Sequence, residues 1–209
     1  MNSLVKRSID LIVSILGVAL LSPLMLIIAL AIFCTLGRPV FFRQHRPGYR
    51  GRPFWLVKFR TMSAARDSSG QPLSDDVRLT RLGRILRRTS LDELPELWNV
   101  VKGEMSLVGP RPLLMEYMDR YTPQQARRHE VKPGITGWAQ INGRNALTWE
   151  QKFACDLWYV DQWTVWLDLR ILLRTLWQIS HRDDISFAGH ATMPRFMGSG
   201  ENGANECGE

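Results

Sequence analysis

Cysteine is scarce in this sequence, and histidine is almost as rare. The 209 residues include three cysteines, far apart and odd in number, and four histidines. Zinc sites and disulfide frameworks need several such residues at short, regular spacings, and no spacing of that kind is present. The sequence therefore predicts neither a disulfide framework nor a transition-metal site. It also contains no Walker-type glycine-rich loop, which excludes the P-loop class of nucleotide-binding proteins.

Acidic residues are outnumbered by basic ones. The chain has 20 Asp and Glu against 27 Lys and Arg, which gives a net charge of +7. A basic chain of this length, enough for one domain with a sizeable core, is expected to bind anions: nucleic acid, phosphorylated small molecules or an acidic membrane surface. Most of the basic residues are arginine, whose planar guanidinium suits bidentate contacts with phosphate.

One long segment contains no charge at all. Leu11 to Gly37 is uncharged, and as a continuous helix it would reach about 40 Å, more than the core of a bilayer requires. The run is too long for a cleaved signal peptide, so we expect it to stay in the mature protein within lipid. Near its middle lies Ser22-Pro23. Because Pro23 cannot donate to the carbonyl of Ala19, the sequence predicts a kink or break there.

Positive charge flanks this apolar run on both sides. Lys6 and Arg7 precede it, and five arginines follow it: Arg38, Arg43, Arg46, Arg50 and Arg52. A single span tends to keep its basic flank on one side only, so this pattern favours a re-entrant helix whose two ends both stay on the cytoplasmic face. A spanning helix is the alternative.

A second segment has the composition of a helix at the membrane surface. Trp163 to Ser180 is rich in Trp and Leu but carries Asp168, Arg170 and Arg174, so it should not span. Its pattern is typical of an amphipathic helix at the level of the lipid headgroups. An ordinary core helix with a polar stripe explains the pattern equally well.

After the apolar run, aromatic and β-branched residues predict a β-hairpin. The two arms are residues 39–44 and 54–62, separated by a turn-rich segment. Alternation places Lys58 and Arg60 on one face of the second arm, where they could hold a phosphate or be solvated. A helix predicted over Asp76 to Arg88 then ends in basic residues that include Arg87.

The segment RTSLDELPELWNV, residues 88–100, contains two adjacent acids, Asp92 and Glu93. Ser90 followed by Glu93 is typical of a capping box at a helix start, which would give the acids a structural role. Pro95 suggests another interpretation, because it cannot donate to the carbonyl of Leu91. A carboxylate beside a free carbonyl is a reasonable partial shell for Mg²⁺.

Two later loops contain candidate anion-binding residues. In SLVGPRP, Arg111 lies between two prolines that restrict its backbone, so either its guanidinium is aimed or the segment is a rigid surface turn. The loop from Lys132 to Asn145 contains Pro-Gly and Asn-Gly turns and ends near Arg144. We interpret the second loop as a candidate nucleotide-binding segment.

Taken together, these motifs resemble a known family. Ser22-Pro23 in an apolar helix, KFRTM (58–62), TSLDELPELWNV (89–100), MSLVGPRP (105–112) and GITGWAQINGRN (134–145) resemble the bacterial sugar transferases, the small monotopic phosphoglycosyl transferases. The resemblance covers the chain to about Gly198. The late GHAT, Gly189 to Thr192, is similar to members that initiate protein N-glycosylation with N-acetylated amino sugars such as diacetylbacillosamine.

The resemblance implies a membrane enzyme at the cytoplasmic face of the bacterial inner membrane. Such an enzyme moves a sugar 1-phosphate from a UDP-sugar to polyprenyl (undecaprenyl) phosphate, with Mg²⁺, and releases UMP. It implies that Asp92 is the nucleophile that forms an aspartyl phosphosugar, and that Glu93 supports the metal or the proton transfer. Asp92, Glu93 and the Leu91 carbonyl are then the candidate metal ligands.

The resemblance also gives roles to the basic residues. Four cations are candidates to neutralise phosphate charge: Lys58, Arg60, Arg87 and Arg111. Arg144 is the candidate for the uridine end, and Asp156 for a further polar role that the sequence does not specify.

The expected fold class is α+β, mainly helical with a small β-hairpin or sheet. We expect a re-entrant helix over residues 1–37, a membrane-associated catalytic domain over 38–197 and a disordered tail over 198–209. The alternative function is a basic membrane-surface or nucleic-acid binding module without catalysis. That alternative leaves the apolar run and the Asp92, Glu93 and Pro95 arrangement unexplained, so nucleic acid is not expected as a partner.

Overall fold

The computed structural model describes residues 3–143, 146–181 and 195–198. The described chain is mainly helical, with two small sheets and one long apolar N-terminal helix. The helices are α1 (Ser3–Leu36), α2 (Asp75–Arg78), α3 (Arg81–Arg88), α4 (Glu96–Lys102), α5 (Pro123–Ala126), α6 (Trp138–Ile141), α7 (Trp149–Gln162) and α8 (Val165–His181). The strands are β1 (Phe41–Pro47), β2 (Pro53–Phe59), β3 (Ser106–Val108) and β4 (Gly134–Thr136).

The backbone of α1 is helical on both sides of Pro23. The sequence predicted a kink or break here, because the proline leaves the Ala19 carbonyl without its usual donor. In the structure the Ser22 hydroxyl donates to that carbonyl, with Oγ and O 2.9 Å apart. The neighbouring side chain therefore satisfies the acceptor that the proline leaves, and the helix continues.

Charged residues at the start of α1 attach it to the rest of the fold. The buried Lys6 ammonium lies 2.5 Å from Asp168 Oδ2 on α8 and also donates to the Val108 carbonyl on β3. Asp10 accepts from the backbone N–H of Leu107, and Arg7 donates to the last carbonyls of α4. The residues that the sequence suggested as topological signals are thus engaged in tertiary contacts.

The C-terminal end of α1 also packs on this domain. Ile28 and Ile32 are buried against Phe59 of β2 and Leu86 of α3. The Arg60 guanidinium donates to the carbonyls of residues 36, 37 and 38, which are left unpaired where α1 ends. Both ends of the long helix therefore contact one folded domain.

The predicted β-hairpin is present. β1 pairs antiparallel with β2, with Phe41 opposite Phe59 and Pro47 opposite Pro53. Helix α4 is tied to β2 by the fully buried Asn99, whose amide donates to the Trp55 carbonyl and accepts from the Val57 N–H. This attachment fixes how the start of α4 lies against the end of β2.

The second sheet consists of two short parallel strands, β3 and β4. Their continuations approach so closely that a Cβ on Gly109 would overlap the carbonyl of Lys132. Around them, β2, α4, α7 and α8 enclose a core that includes Leu56, Val100, Met105, Tyr159 and Ile171. The sheet therefore holds the loop after β3, which contains Arg111, at a fixed position.

Some local predictions need correction. The helix expected over 76–88 is split into α2 and α3, because Thr80 caps the second helix by accepting from the Gly83 N–H. Helix α8, for which a surface amphipathic helix and a core helix were both left open, buries Leu167 and Ile171 while Trp166 and Trp177 are exposed.

Candidate active site

The acidic pair lies on a short turn before α4. Leu91–Glu93 forms one turn of 3₁₀ helix, and Ser90 before it has a left-handed backbone with φ 56°. The capping box predicted for Ser90 is not formed, because its side chain makes no cap hydrogen bond and α4 begins only at Glu96. Pro95 takes the cap position of α4. The Leu91 carbonyl, predicted to be free, accepts a long hydrogen bond of 3.4 Å from the Leu94 N–H.

Glu93 is held by two cations. Its Oε1 atom lies 2.6 Å from the Lys58 ammonium at the end of β2 and also accepts from Arg111 Nη2. Burial by itself would raise the pKa of Glu93, but the charges of Arg111 and Lys58 hold that pKa below its ordinary value. Glu93 is therefore ionised at neutral pH, and only one of its carboxylate oxygens is used by these contacts.

Asp92 differs from its neighbour. The residue is 8% exposed, and within the described chain no side chain hydrogen-bonds its carboxylate. Burial, helped by the negative charge of Glu93, raises the pKa of Asp92 from 3.8 to about 6, while Lys58 and Arg111 oppose the rise. The two adjacent acids thus have opposite environments: Glu93 is held by two cations and ionised at neutral pH, and Asp92 has no side-chain partner in the described chain and a raised pKa of about 6.

Glu96, a third carboxylate, was not predicted from the sequence. It is 2% exposed, and its Oε1 atom lies 3.0 Å from the same Lys58 ammonium that contacts Glu93. Burial is the main cause, and the charge of Glu93 a smaller one, that raises the pKa of Glu96 above its ordinary value. Its spacing from Asp92 and Glu93 is a helical one, which could have indicated a shared face.

Of the other predicted phosphate-binding cations that the structure describes, Arg87 lies near the acids and Arg60 does not. Arg87 lies on α3, where its Nε atom donates to the Thr61 hydroxyl at 3.0 Å, and its charge acts on Asp92. Gly83 allows this approach, because a Cβ there would overlap the Thr61 carbonyl. Arg60 is not brought to the acids, since it caps the end of α1. Arg144 lies outside the described residues.

Asp156 is connected to the site indirectly. Its Oδ2 atom accepts from both Nε and Nη2 of Arg128, at 3.0 and 2.6 Å, and both side chains are almost completely buried. Arg128 Nη2 also donates to the backbone carbonyl of Arg111 at 2.7 Å. The family resemblance implied a polar role for Asp156 without naming a partner, and Arg128 was not predicted.

Comparison with known proteins identifies the family. The chain matches the model of the bacterial sugar transferases over residues 1–182. It belongs to that family. The prediction of a sugar transferase is thereby confirmed, whereas the subtype that initiates protein N-glycosylation is not shown.

Several curated relatives of this sugar transferase cover most of its length. It is 54% identical over 198 residues to the uncharacterized sugar transferase EpsL of Bacillus subtilis, covering 95% of this chain and 98% of that protein. It is 44% identical over 181 residues to a UDP-glucose:undecaprenyl-phosphate glucose-1-phosphate transferase of Caulobacter vibrioides, covering 82% of this chain and 68% of that protein. An Escherichia coli protein of the same name is 42% identical over 187 residues, which are 85% of this chain and 40% of that relative.

The acidic pair has carboxylate oxygens of the kind that Mg²⁺ binds. The Asp92 carboxylate and Glu93 Oε2 have no protein partner in the described chain, and Mg²⁺ commonly takes one or two carboxylates with water and substrate phosphates. No group of three or more His, Cys, Asp or Glu side chains arranged for a metal occurs among the described residues. Any divalent ion held here would therefore depend on substrate oxygens to complete its shell.

Proposed function

We propose that this sugar transferase moves a sugar 1-phosphate from a UDP-sugar to polyprenyl phosphate through a covalent intermediate on Asp92. The observation that carries the proposal is the buried, unpartnered Asp92 carboxylate beside Glu93, which Lys58 and Arg111 clamp. A nucleophilic carboxylate needs a lone pair free of protein donors and a nearby positive charge for the phosphate that it attacks. Asp92 has both.

In the first step, an Asp92 carboxylate oxygen attacks the β-phosphorus of the UDP-sugar. The bond from that phosphorus to the bridging oxygen breaks, and UMP leaves with the electron pair. In the second step, a phosphate oxygen of the polyprenyl phosphate attacks the same phosphorus, and the Asp92 carboxylate is released. The products are polyprenyl diphosphate-sugar and UMP, and the enzyme is regenerated.

The basic side chains around Asp92 would stabilise charge on the transferring phosphoryl group. Arg111 is 44% exposed at its side chain and can reach a substrate while its backbone stays fixed. The positive charge of Arg87, on α3, lowers the pKa of Asp92. We propose that Mg²⁺, held by Asp92 and Glu93, neutralises diphosphate charge when it is bound.

The proposal also concerns which sugar is transferred. The GHAT motif favours an N-acetylated amino sugar, but it lies outside the described residues, and curated relatives are named for glucose and galactose transfer. The test is UMP release by detergent-solubilised enzyme with polyprenyl phosphate and a panel of UDP-sugars, including UDP-glucose, UDP-galactose and UDP-N-acetylated amino sugars. Release of UMP with at least one donor is expected, whereas none with any donor would overturn the proposed function.

The first half-reaction should lose rate in mild acid. Because the pKa of Asp92 is raised from 3.8 to about 6, its reactive carboxylate predominates only above about pH 6. In a rapid-quench assay of UMP release without polyprenyl phosphate, with UDP-sugar and Mg²⁺ below saturation so that the free enzyme governs the rate, we expect the rate to fall about tenfold for each pH unit below about 6. Return to neutral pH separates this loss from denaturation. A half-maximal rate near pH 3.8 would contradict the raised pKa.

We propose that α1 is re-entrant and that the enzyme is embedded in the cytoplasmic leaflet of the bacterial inner membrane. The described chain contains one helix long and apolar enough to cross a membrane, Leu4–Leu36. Its two ends contact the same domain, through Lys6 with Asp168 and through the Leu36 carbonyl with Arg60. A helix attached at both ends to one domain cannot place those ends on opposite sides of a bilayer.

Labelling with an impermeant thiol reagent tests this topology. Single cysteines replace Leu4 and Arg52, both exposed, in a background without the native cysteines. We expect both positions to react from the cytoplasmic side in inverted vesicles and neither to react in intact spheroplasts. Reaction of the Leu4 position from the periplasmic side would overturn the re-entrant topology and leave the chemistry at Asp92 unaffected.

A further inference from the structure

The backbone around Arg111 is held by hydrogen bonds from buried or half-buried arginines. It lies between Pro110 and Pro112, and the Pro112 carbonyl accepts from Arg46 Nη1 at 3.3 Å. The Arg111 carbonyl accepts from Arg128 Nη2 at 2.7 Å, while its own guanidinium contacts Glu93. The backbone thus has a buried anchor on one side, and the side chain lies in the site on the other.

The buried anchor is itself held in place. Arg128 contributes two donors to a single oxygen of Asp156 on α7, and the side chains are 2% and 5% exposed. The rings of Tyr121 and Phe153 lie 6.0 and 5.8 Å from its guanidinium carbon. In this arrangement Nη2 bridges the Asp156 carboxylate and the Arg111 carbonyl, and Nη1 lies 3.5 Å from the Tyr121 hydroxyl.

We propose that Asp156 is a positioning residue for the transfer reaction, which it serves through Arg128 by holding the backbone of Arg111 where the Arg111 guanidinium meets Glu93 and the substrate phosphate. Asp156 itself touches neither Glu93 nor, on this account, the substrate. The inference rests on the proposed function. A displacement of about 1 Å at a group that contacts the reacting phosphate can lower a rate about 10²-fold, so an indirect contact of this kind has a measurable effect.

A double-mutant cycle separates positioning from simple support of the fold. We would measure kcat and KM for the UDP-sugar in the full-length enzyme and in Asp156→Asn, Arg111→Ala and the double variant. Asp156→Asn should lower kcat about 10- to 100-fold with KM within about threefold of the parent. In the Arg111→Ala background the same change should lower kcat by less than about twofold, because the group that it positions is already absent.

The chain offers a closely matched control. Arg127, the neighbour of Arg128, pairs with Asp161 on the same helix α7, with Nη2 and Oδ1 2.5 Å apart and both side chains nearly half exposed. This pair links the turn Arg127–Glu130 to α7, as the pair of Arg128 and Asp156 does, but it does not contact Arg111. Asp161→Asn should therefore leave kcat within about twofold of the parent. A loss as large as that of Asp156→Asn would show that the link between the elements matters, not the position of Arg111.

A second variant protects the test against misfolding, since Asp156→Asn leaves Arg128 buried without its counterion. Arg128→Lys keeps the charge opposite Asp156, but a single ammonium does not reproduce the fork that reaches the Arg111 carbonyl. It should also lower kcat only when Arg111 is present. Equal factors in both Arg111 backgrounds, for either folded variant, would overturn the inference. A parent enzyme that releases no UMP would instead overturn the proposed function.

Discussion

Asp92→Asn is expected to abolish turnover and, at the same time, to make the folded protein more stable. The amide has nearly the size of the acid but no anionic oxygen for attack on phosphorus, so UMP release should fall by at least about 10³-fold. The gain in stability follows from burial: the folded environment raises the pKa of Asp92 to about 6, so the charged form is disfavoured in the folded state at neutral pH.

The contribution of Asp92 to stability depends on pH. Between pH 3.8 and about 6 the folded protein binds a proton at Asp92 that the unfolded chain has lost, so stability falls as pH rises through this window. Above it, the buried charge costs about 2–3 kcal/mol, at about 1.4 kcal/mol for each pKa unit. Asn removes that cost.

Thermal unfolding in one detergent without divalent ions, at about pH 7.5, measures the effect, with an expected rise in Tm of several degrees. Near-normal turnover would contradict the role of Asp92 as nucleophile. A large fall in Tm would show instead that Asp92 serves the fold.

Glu93→Gln should also lower turnover strongly, by about 10²-fold or more, but with the opposite effect on stability. The Glu93 carboxylate is the counterion of Lys58 and Arg111, and their charges hold its pKa below the ordinary value of 4.5 despite burial. Such a group stabilises the folded state above its unfolded pKa, and this stability is lost as pH falls. The glutamine leaves Arg111 without its ionic partner, while Glu96 still contacts Lys58.

We therefore expect Glu93→Gln to destabilise the fold by about 1–3 kcal/mol at neutral pH. Measured beside Asp92→Asn under identical conditions, the two neighbouring substitutions should shift Tm in opposite directions and both should lose activity. Shifts of the same sign would contradict the assignment of one clamped acid and one unpartnered acid.

The sequence predicted the parts of this fold that depend on local pattern. Alternating aromatic and β-branched residues marked the hairpin of β1 and β2, and the uncharged run marked α1. The chemistry of Asp92 and Glu93 came from a resemblance between motifs, and the family match agrees with that resemblance. Periodicity and spacing alone left the acids as a possible capping box.

Contacts between distant segments could not be predicted. Lys6 and Arg7 look like topological charges, yet Lys6 pairs with Asp168, which is 162 positions away. The position of Arg60 next to a predicted strand suggested a phosphate ligand, but its guanidinium donates to the Leu36 carbonyl at the end of α1. A side chain of this kind bonds to whatever unpaired group the fold places beside it, and only the tertiary structure determines that partner.

The local geometry of the acidic turn was also mispredicted, for a physical reason. Ser90 was expected to cap a helix, and instead it adopts a left-handed backbone that starts a separate 3₁₀ turn. Asn99 sets where α4 lies on β2, and this places Glu96 next to Lys58. Local propensities do not reveal such packing, because the buried hydrogen bonds of Asn99 override them.

The central claim is that Asp92 carries the phosphosugar between the two substrates. The most direct test is the intact mass of the purified enzyme, quenched after incubation with the UDP-sugar alone. We expect a gain equal to one sugar phosphate, located on the peptide that contains Asp92, absent in Asp92→Asn and lost when polyprenyl phosphate is added. An enzyme that turns over normally but never carries this mass, and releases UMP only with both substrates present, would contradict the account.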